Sequence, residues 1–233
     1  MPFSSPRETF DRALQKLLDQ VLVQGSMVEQ AVQSALDALK RRDLNAAQSI
    51  YAADQNVNEK RYQIEIEAIT LIATQQPMAR DVRLLAAILE IITELERIGD
   101  YAKGICKINL LLSDEEIDPA IFADLQRMAD LGLDMLRRSL DAFVNQDAAA
   151  AKQIPDEDDQ VDALYNHIYR NLMNEMSRNP ASIDRLNHLM WAAHNLERMA
   201  DRVTNICERI VYVATGQMKE LDSSDDEKRG IST

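Results

Sequence analysis

The chain repeats itself, and that constrains its fold more than any other feature. Residues 94–106 (ELERIGDYAKGIC) laid over 195–207 (NLERMADRVTNIC), 101 positions on, agree at six of thirteen places, with both cysteines in register. A second block, 37–58 over 141–162 at a spacing of 104, agrees at Asp37, Ala38, Asp43, Ala46, Ala47, Ile50, Asp54 and Val57. The drift from 104 to 101 marks a short deletion between the blocks. A chain of 233 residues therefore holds two copies of one unit of about 100 residues, each long enough to bury a core.

The unit reads as helical. Six Gly, six Pro and 5% aromatic residues leave little material for turns or strands. Ser5-Pro6-Arg7-Glu8 is a capping box with proline at the first helical position, and Ser113 with Glu116 repeats it. Asp43 and Asp147 stand as N-caps before alanine-rich runs, and Gln76-Pro77 and Asn179-Pro180 punctuate the later entries. Six helices are predicted, over 6–41, 44–74, 79–112, 115–145, 148–178 and 182–216, with a late start or kink at Pro155 in the fifth. The third carries an apolar seam (Leu84, Ile88, Ile91, Leu95, Ile98, Ala102, Ile105), matched in the sixth by Leu189, Ala192, Leu196, Met199, Val203, Ile206 and Ile210. The expected fold is all-α: two tandem three-helix bundles at 1–112 and 113–216, followed by a polar tail, 217–233, read as disordered.

Charge and motif content exclude several functions. A net charge of -13 repels a nucleic-acid backbone. No run approaches the roughly 18 apolar residues of a membrane span, and the start has no basic head before an apolar run, so a soluble intracellular protein is expected. Cys106 and Cys207 read as buried free thiols, too few for a disulfide framework. Gly-rich phosphate loops, Gly-x-Ser-x-Gly and an activated Cys/His pair are all lacking, so no catalytic residue is nominated.

Carboxylates at helical spacing remain as the candidate site. Glu96 with Asp100, and Glu197 with Asp201, lie one turn apart beside the apolar seams, while Asp54 with Asn58 and Asp158 with Asp162 do the same on the second and fifth helices. Oxygen-rich pairs from two facing helices suit a divalent cation, and His194 adds a nitrogen to the second copy where the first has Thr93. The same spacing also suits solvated helix flanks, salt-bridged to Arg61, Arg97, Arg198 or Arg202. A ferritin-like carboxylate-bundle enzyme or metal-storage protein would need Glu-x-x-His on two helices, whereas this chain has the reverse order, His194 to Glu197, once.

At these residues the sequence resembles the PhoU family of phosphate-transport accessory proteins. Residues 76–83 (QPMARDVR) with 94–100 (ELERIGD) resemble its most recognisable signature, 195–201 (NLERMAD) with 205–208 (NICE) its second copy, and 54–58 (DQNVN) a segment of the second helix. The resemblance runs from about Phe10 to Gly216. It implies tandem three-helix bundles, commonly dimeric, in the cytoplasm and near the membrane only through partners. It further implies a non-enzymatic negative regulator that links a Pst-type ABC phosphate transporter to a PhoR-type sensor kinase. Some members carry iron or other metal clusters on their E(D)-x-x-x-D motifs and others are metal-free. By position the candidate ligands for iron, zinc or another divalent metal are Glu96, Asp100, Glu197, Asp201, Asp158, Asp162 and Asp54, with Asn58 replacing a carboxylate in the first copy.

Overall fold

The computed structural model describes residues 6–112 and 117–221. The helices are α1 (Pro6–Arg41), α2 (Leu44–Gln75), α3 (Arg80–Leu111), α4 (Pro119–Asn145), α5 (Ala148–Gln153), α6 (Asp158–Arg178) and α7 (Ile183–Thr215). Two 3₁₀ turns, Ile154–Glu157 and Pro180–Ser182, precede α6 and α7. Among the described residues there is no strand. The two capping serines, Ser5 and Ser113, and most of the tail lie outside the described residues.

The duplication is visible in the turns. Arg42 and Gln146 occupy equivalent places and both have positive φ, 53° and 52°. After each, the Asp43 and Asp147 amides reach back to the Ala38 and Ala142 carbonyls at 2.9 and 2.8 Å, closing a Schellman turn. The same aspartates then cap α2 and α5 with their side chains, as predicted. Glycine would suit a left-handed backbone better, but Arg42 is retained by other contacts. Its guanidinium donates to the Asn109 backbone and side-chain oxygens and to the Leu112 carbonyl, tying this turn to the end of α3. Pro155 breaks the fifth predicted helix into α5, a 3₁₀ turn and α6, because it cannot donate to the ladder. The fourth helix starts at Pro119 rather than 115, with Asp118 accepting from the Ala120 amide.

Helices α1–α3 form one bundle and α4–α7 the other, with the two apolar seams at their centres. Every seam residue named on α3 and α7 is buried. Burying one such branched side chain is worth about 1.5–3 kcal/mol relative to exposure. The most extensive helix–helix packing is between α3 and α7, so the bundles share a single apolar core. These helices run antiparallel: Glu90 pairs with Arg209, Glu94 with Asn205, and the Tyr101 ring with Arg198. A second contact joins α1 to α4, where a Cβ at Gly25 would collide with Leu140 and Glu29 pairs with Arg137 at 3.4 Å.

Candidate functional site

Helical phase determines what each acidic pair faces. On α3, Ile98 and Leu95 point into the core, so Glu96 is half-buried and Asp100 exposed on the flank facing α2. On α2, Val57 and Ile64 are buried, and the same phase draws Asp54 inward, leaving its side chain 5% exposed. Asp158 is buried at the equivalent place on α6. The expectation that all the acidic pairs flank the seams is corrected for these two residues, which lie on the packed faces of their helices.

In the first repeat Asp54, Glu96 and Asp100 are close enough to act on one another. Burial first, then Asp100, raise the Glu96 carboxyl above its ordinary range, and burial followed by Asp54 raises Asp100. A cation is already present in this cluster: Lys103 Nζ lies 2.7 Å from Asp54 Oδ2 and 3.9 Å from Asp100 Oδ1. Asn58 donates to the same Asp54 oxygen at 3.4 Å. The expected arginine partners lie elsewhere, Arg97 on Glu94 and Arg61 on Glu65.

The second repeat differs. Glu197 is raised to about 7, chiefly by burial and then by Asp201 and Asp162. Its Oε2 is buried without a hydrogen bond and lies 3.3 Å from His194 Nδ1. Burial, with Arg198 nearby, pushes His194 below 6.5, so at neutral pH the pair is not a fixed ion pair. The Tyr165 and Trp191 rings flank His194 at 6.1 and 5.9 Å between centroids.

Between the two acidic clusters, where α3 crosses α7, a cavity of about 320 Å³ is lined by Arg97, Asp100, Tyr101, Arg198 and Arg202. Glu94 bridges this crossing, accepting from Arg97 at 2.9 Å, Asn205 at 3.1 Å and Arg202 at 3.5 Å. The sequence reading assigned these arginines to the acidic pairs, as holds for Arg202 at 3.8 Å from Asp201, and did not foresee the cross-repeat network. Two repeat-equivalent Leu-Glu-Arg triplets on antiparallel helices were the available signal.

The donor sets answer differently as metal sites. The first does not fit, since Lys103 holds the place of a cation against its most buried carboxylate. The second brings Glu197, Asp201 and Asp162 within electrostatic reach of one another, with the His194 nitrogen 3.3 Å from Glu197 and the Arg202 guanidinium 3.8 Å from Asp201. Among the described residues, no three His, Cys, Asp or Glu side chains converge tightly enough to hold an ion as they stand.

The PhoU domain family matches residues 22–108 and 125–210, one match per repeat. The chain belongs to the PhoU family. Its sequence is 34% identical over 217 residues to the phosphate-specific transport system accessory protein PhoU homolog of Clostridium acetobutylicum, covering 93% of this chain and 99% of that one. It is 36% identical over 208 residues to the Escherichia coli K12 phosphate-specific transport system accessory protein PhoU, covering 89% and 86%. In three dimensions it is similar to the phosphate transport system regulatory protein PhoU from Streptococcus pneumoniae, with a TM-score of 0.84 at 32% identity, covering 90% and 99%. PhoU from Pseudomonas aeruginosa gives 0.83 at 31%, covering 89% and 100%. These PhoU relatives are named as accessory or regulatory proteins, not as enzymes.

Proposed function

We propose that this chain is an accessory protein of a phosphate-specific transport system, acting in the cytoplasm as a negative regulator of phosphate uptake and of the phosphate-starvation response. In this reading it is a dimeric adaptor between a Pst-type ABC transporter and a PhoR-type sensor kinase. The supporting observation is coextension: both repeats match the PhoU domain, and relatives named as accessory proteins align over nearly their whole length. Among the described residues no helix is long and apolar enough to cross a membrane, which suits an adaptor that reaches the membrane through its partners. An acidic surface complements basic cytoplasmic segments, with charge setting encounter rate and specificity more than raw affinity. Any divalent metal, iron or zinc foremost, is assigned to the second repeat, where the donors are oxygen-rich and Glu197 Oε2 has no hydrogen bond. The carboxylate-bundle enzyme or metal-storage reading is not favoured, because relatives aligned over 99% and 86% of their length are named as accessory proteins.

Deletion of the gene in its own organism, with a phosphate-starvation reporter, tests this function. The reporter is expected to be on in phosphate-replete medium without the gene and off when it is restored. A reporter that stays off in the deletion strain would refute the regulatory reading.

A further inference from the structure

Four rings form a row across α6 and α7. Tyr169 lies against Tyr165 with ring centroids 6.4 Å apart, Tyr165 against His194 at 6.1 Å, and His194 against Trp191 at 5.9 Å. Trp191, the chain's one tryptophan, is 55% exposed, and Tyr169 is 41% exposed. Met173, one turn beyond Tyr169, is as open. Large rings that touch one another and stay open to water mark an interaction surface, unlike apolar side chains scattered singly.

The first repeat supplies the contrast. At the equivalent places it has Arg61, Glu65, Glu90 and Thr93, and all four are engaged within the chain. Arg61 pairs with Glu65 at 3.7 Å and Glu90 with Arg209 at 2.6 Å, while the Thr93 hydroxyl donates to the Leu89 carbonyl at 3.0 Å. Other tyrosines carry a cation of the chain's own. Lys103 Nζ lies 5.2 Å from the centre of the Tyr51 ring, and the Arg61 and Arg198 guanidinium carbons lie 5.3 and 5.2 Å from those of Tyr62 and Tyr101. Among the described residues no such cation covers Tyr169 or Trp191. Carboxylates border the row: Glu197 is 3.3 Å from His194 and within electrostatic reach of Tyr165, Asp162 and Asp201. The nearby arginines are turned away from the open rings, Arg198 onto Tyr101 and Arg202 toward Glu94 and Asp201.

We propose that this row of rings is a docking surface for an arginine-bearing segment of a partner protein, with guanidinium groups seated on Tyr169 and Trp191 and the bordering carboxylates supplying the counter-charge. Arginine suits the site better than lysine because its planar, weakly hydrated head stacks on a ring. Two half-open rings, each worth about 150–250 Å² when wholly covered, offer far less than the roughly 800 Å² per partner of a stable dimer. A short segment therefore fits better than a second copy. The partner's identity rests on the adaptor reading, and the chemistry of the surface on the rings alone.

The test is titration of the full chain, at neutral pH and low salt, with a dye-labelled peptide of about 12 residues built from Arg-Gly-Ser units, following peptide anisotropy and Trp191 emission together. Saturable binding is expected, with a blue shift of Trp191 as its ring is covered. Trp191→Ser/Tyr169→Ser, which leaves the charge unchanged, should weaken binding about 5- to 30-fold, the loss expected for two exposed cation–π contacts, whereas Tyr62→Ser on the first repeat should bind as wild type does. No saturable binding, or undiminished binding in the double variant, would overturn the proposal. If the double variant does not fold, wild-type emission decides the matter, and peptide binding that leaves Trp191 unmoved would overturn it. A dimeric wild type that becomes monomeric in the double variant would assign the rings to a second copy and overturn it as well. The peptide contains neither transporter nor kinase, so its failure leaves the adaptor reading standing, and failure of those partners to bind leaves the peptide result standing.

Discussion

Replacing Glu197 by glutamine removes a charge while keeping shape and volume, so it isolates what the buried carboxylate does to the fold. Its pKa rises from the usual 4.5 to about 7, first through burial and then through Asp201 and Asp162. The folded chain thus holds this proton more tightly than the unfolded chain. Linkage then fixes the sign: stability falls as pH climbs from about 4.5 to about 7, and the full loss persists above that. A shift of about 2.5 units at 1.36 kcal/mol each corresponds to about 3 kcal/mol, and solvent screening of the partly exposed carboxylate brings this to about 2 kcal/mol. For a chain of this size that is about 4–8 °C in Tm. Thermal unfolding with chelator present should find Glu197→Gln about equal to wild type near pH 4.5 and more stable by that margin at pH 8. A pH-independent difference, or a variant less stable at pH 8, would refute the electrostatic account of the second cluster.

Elemental analysis by plasma mass spectrometry, on protein purified without chelator or metal-affinity resin, should find any iron, zinc or manganese lost in Glu197→Ala/Asp201→Ala and kept in Glu96→Ala/Asp100→Ala; the reverse pattern would contradict the assignment. Cys106 and Cys207 are fully buried and their thiols are pushed up to about 11 and about 12, so an aromatic disulfide reagent at pH 8 should modify neither in the native protein and both in denaturant. Arg42→Ala removes the donors that cap the end of α3 and should cost about 1–3 kcal/mol by urea unfolding, whereas an unchanged midpoint would show that the clamp contributes nothing.

Much of this fold is legible in the sequence because the seams on α3 and α7 follow strict helical spacing, and a buried stripe on a long helix has only one phase. Asp43 and Asp147 are legible for a similar reason, since their capping role depends on residues two or three positions away. Pro155 signalled a disturbance but not its form, as an early 3₁₀ turn and a late helix start both satisfy a missing donor. The left-handed turns at Arg42 and Gln146 carry no glycine to announce them, and what secures Arg42 lies 67 positions away on Asn109.

The candidate site was legible only in part. Spacing along one helix shows that Glu96 and Asp100 share a face, but whether Asp54 turns inward depends on the rotation of α2 against α3. The same limit hid the Lys103 pairing, a contact between helices. Laying one repeat over the other sets Thr204 where Lys103 stands, but only the structure shows that Lys103 meets Asp54. The network of Glu94 with Arg202 and Asn205 was missed for a related reason, since it exists only where the two repeats meet.

The adaptor account is tested most directly by measuring binding of the full chain to the purified transporter in detergent and to the cytoplasmic part of the sensor kinase, both from the same organism. Saturable binding to both is expected, weakening steadily as salt is raised, because an acidic chain of net charge -13 meets basic partner segments. Absence of binding to either partner at low salt would contradict the account.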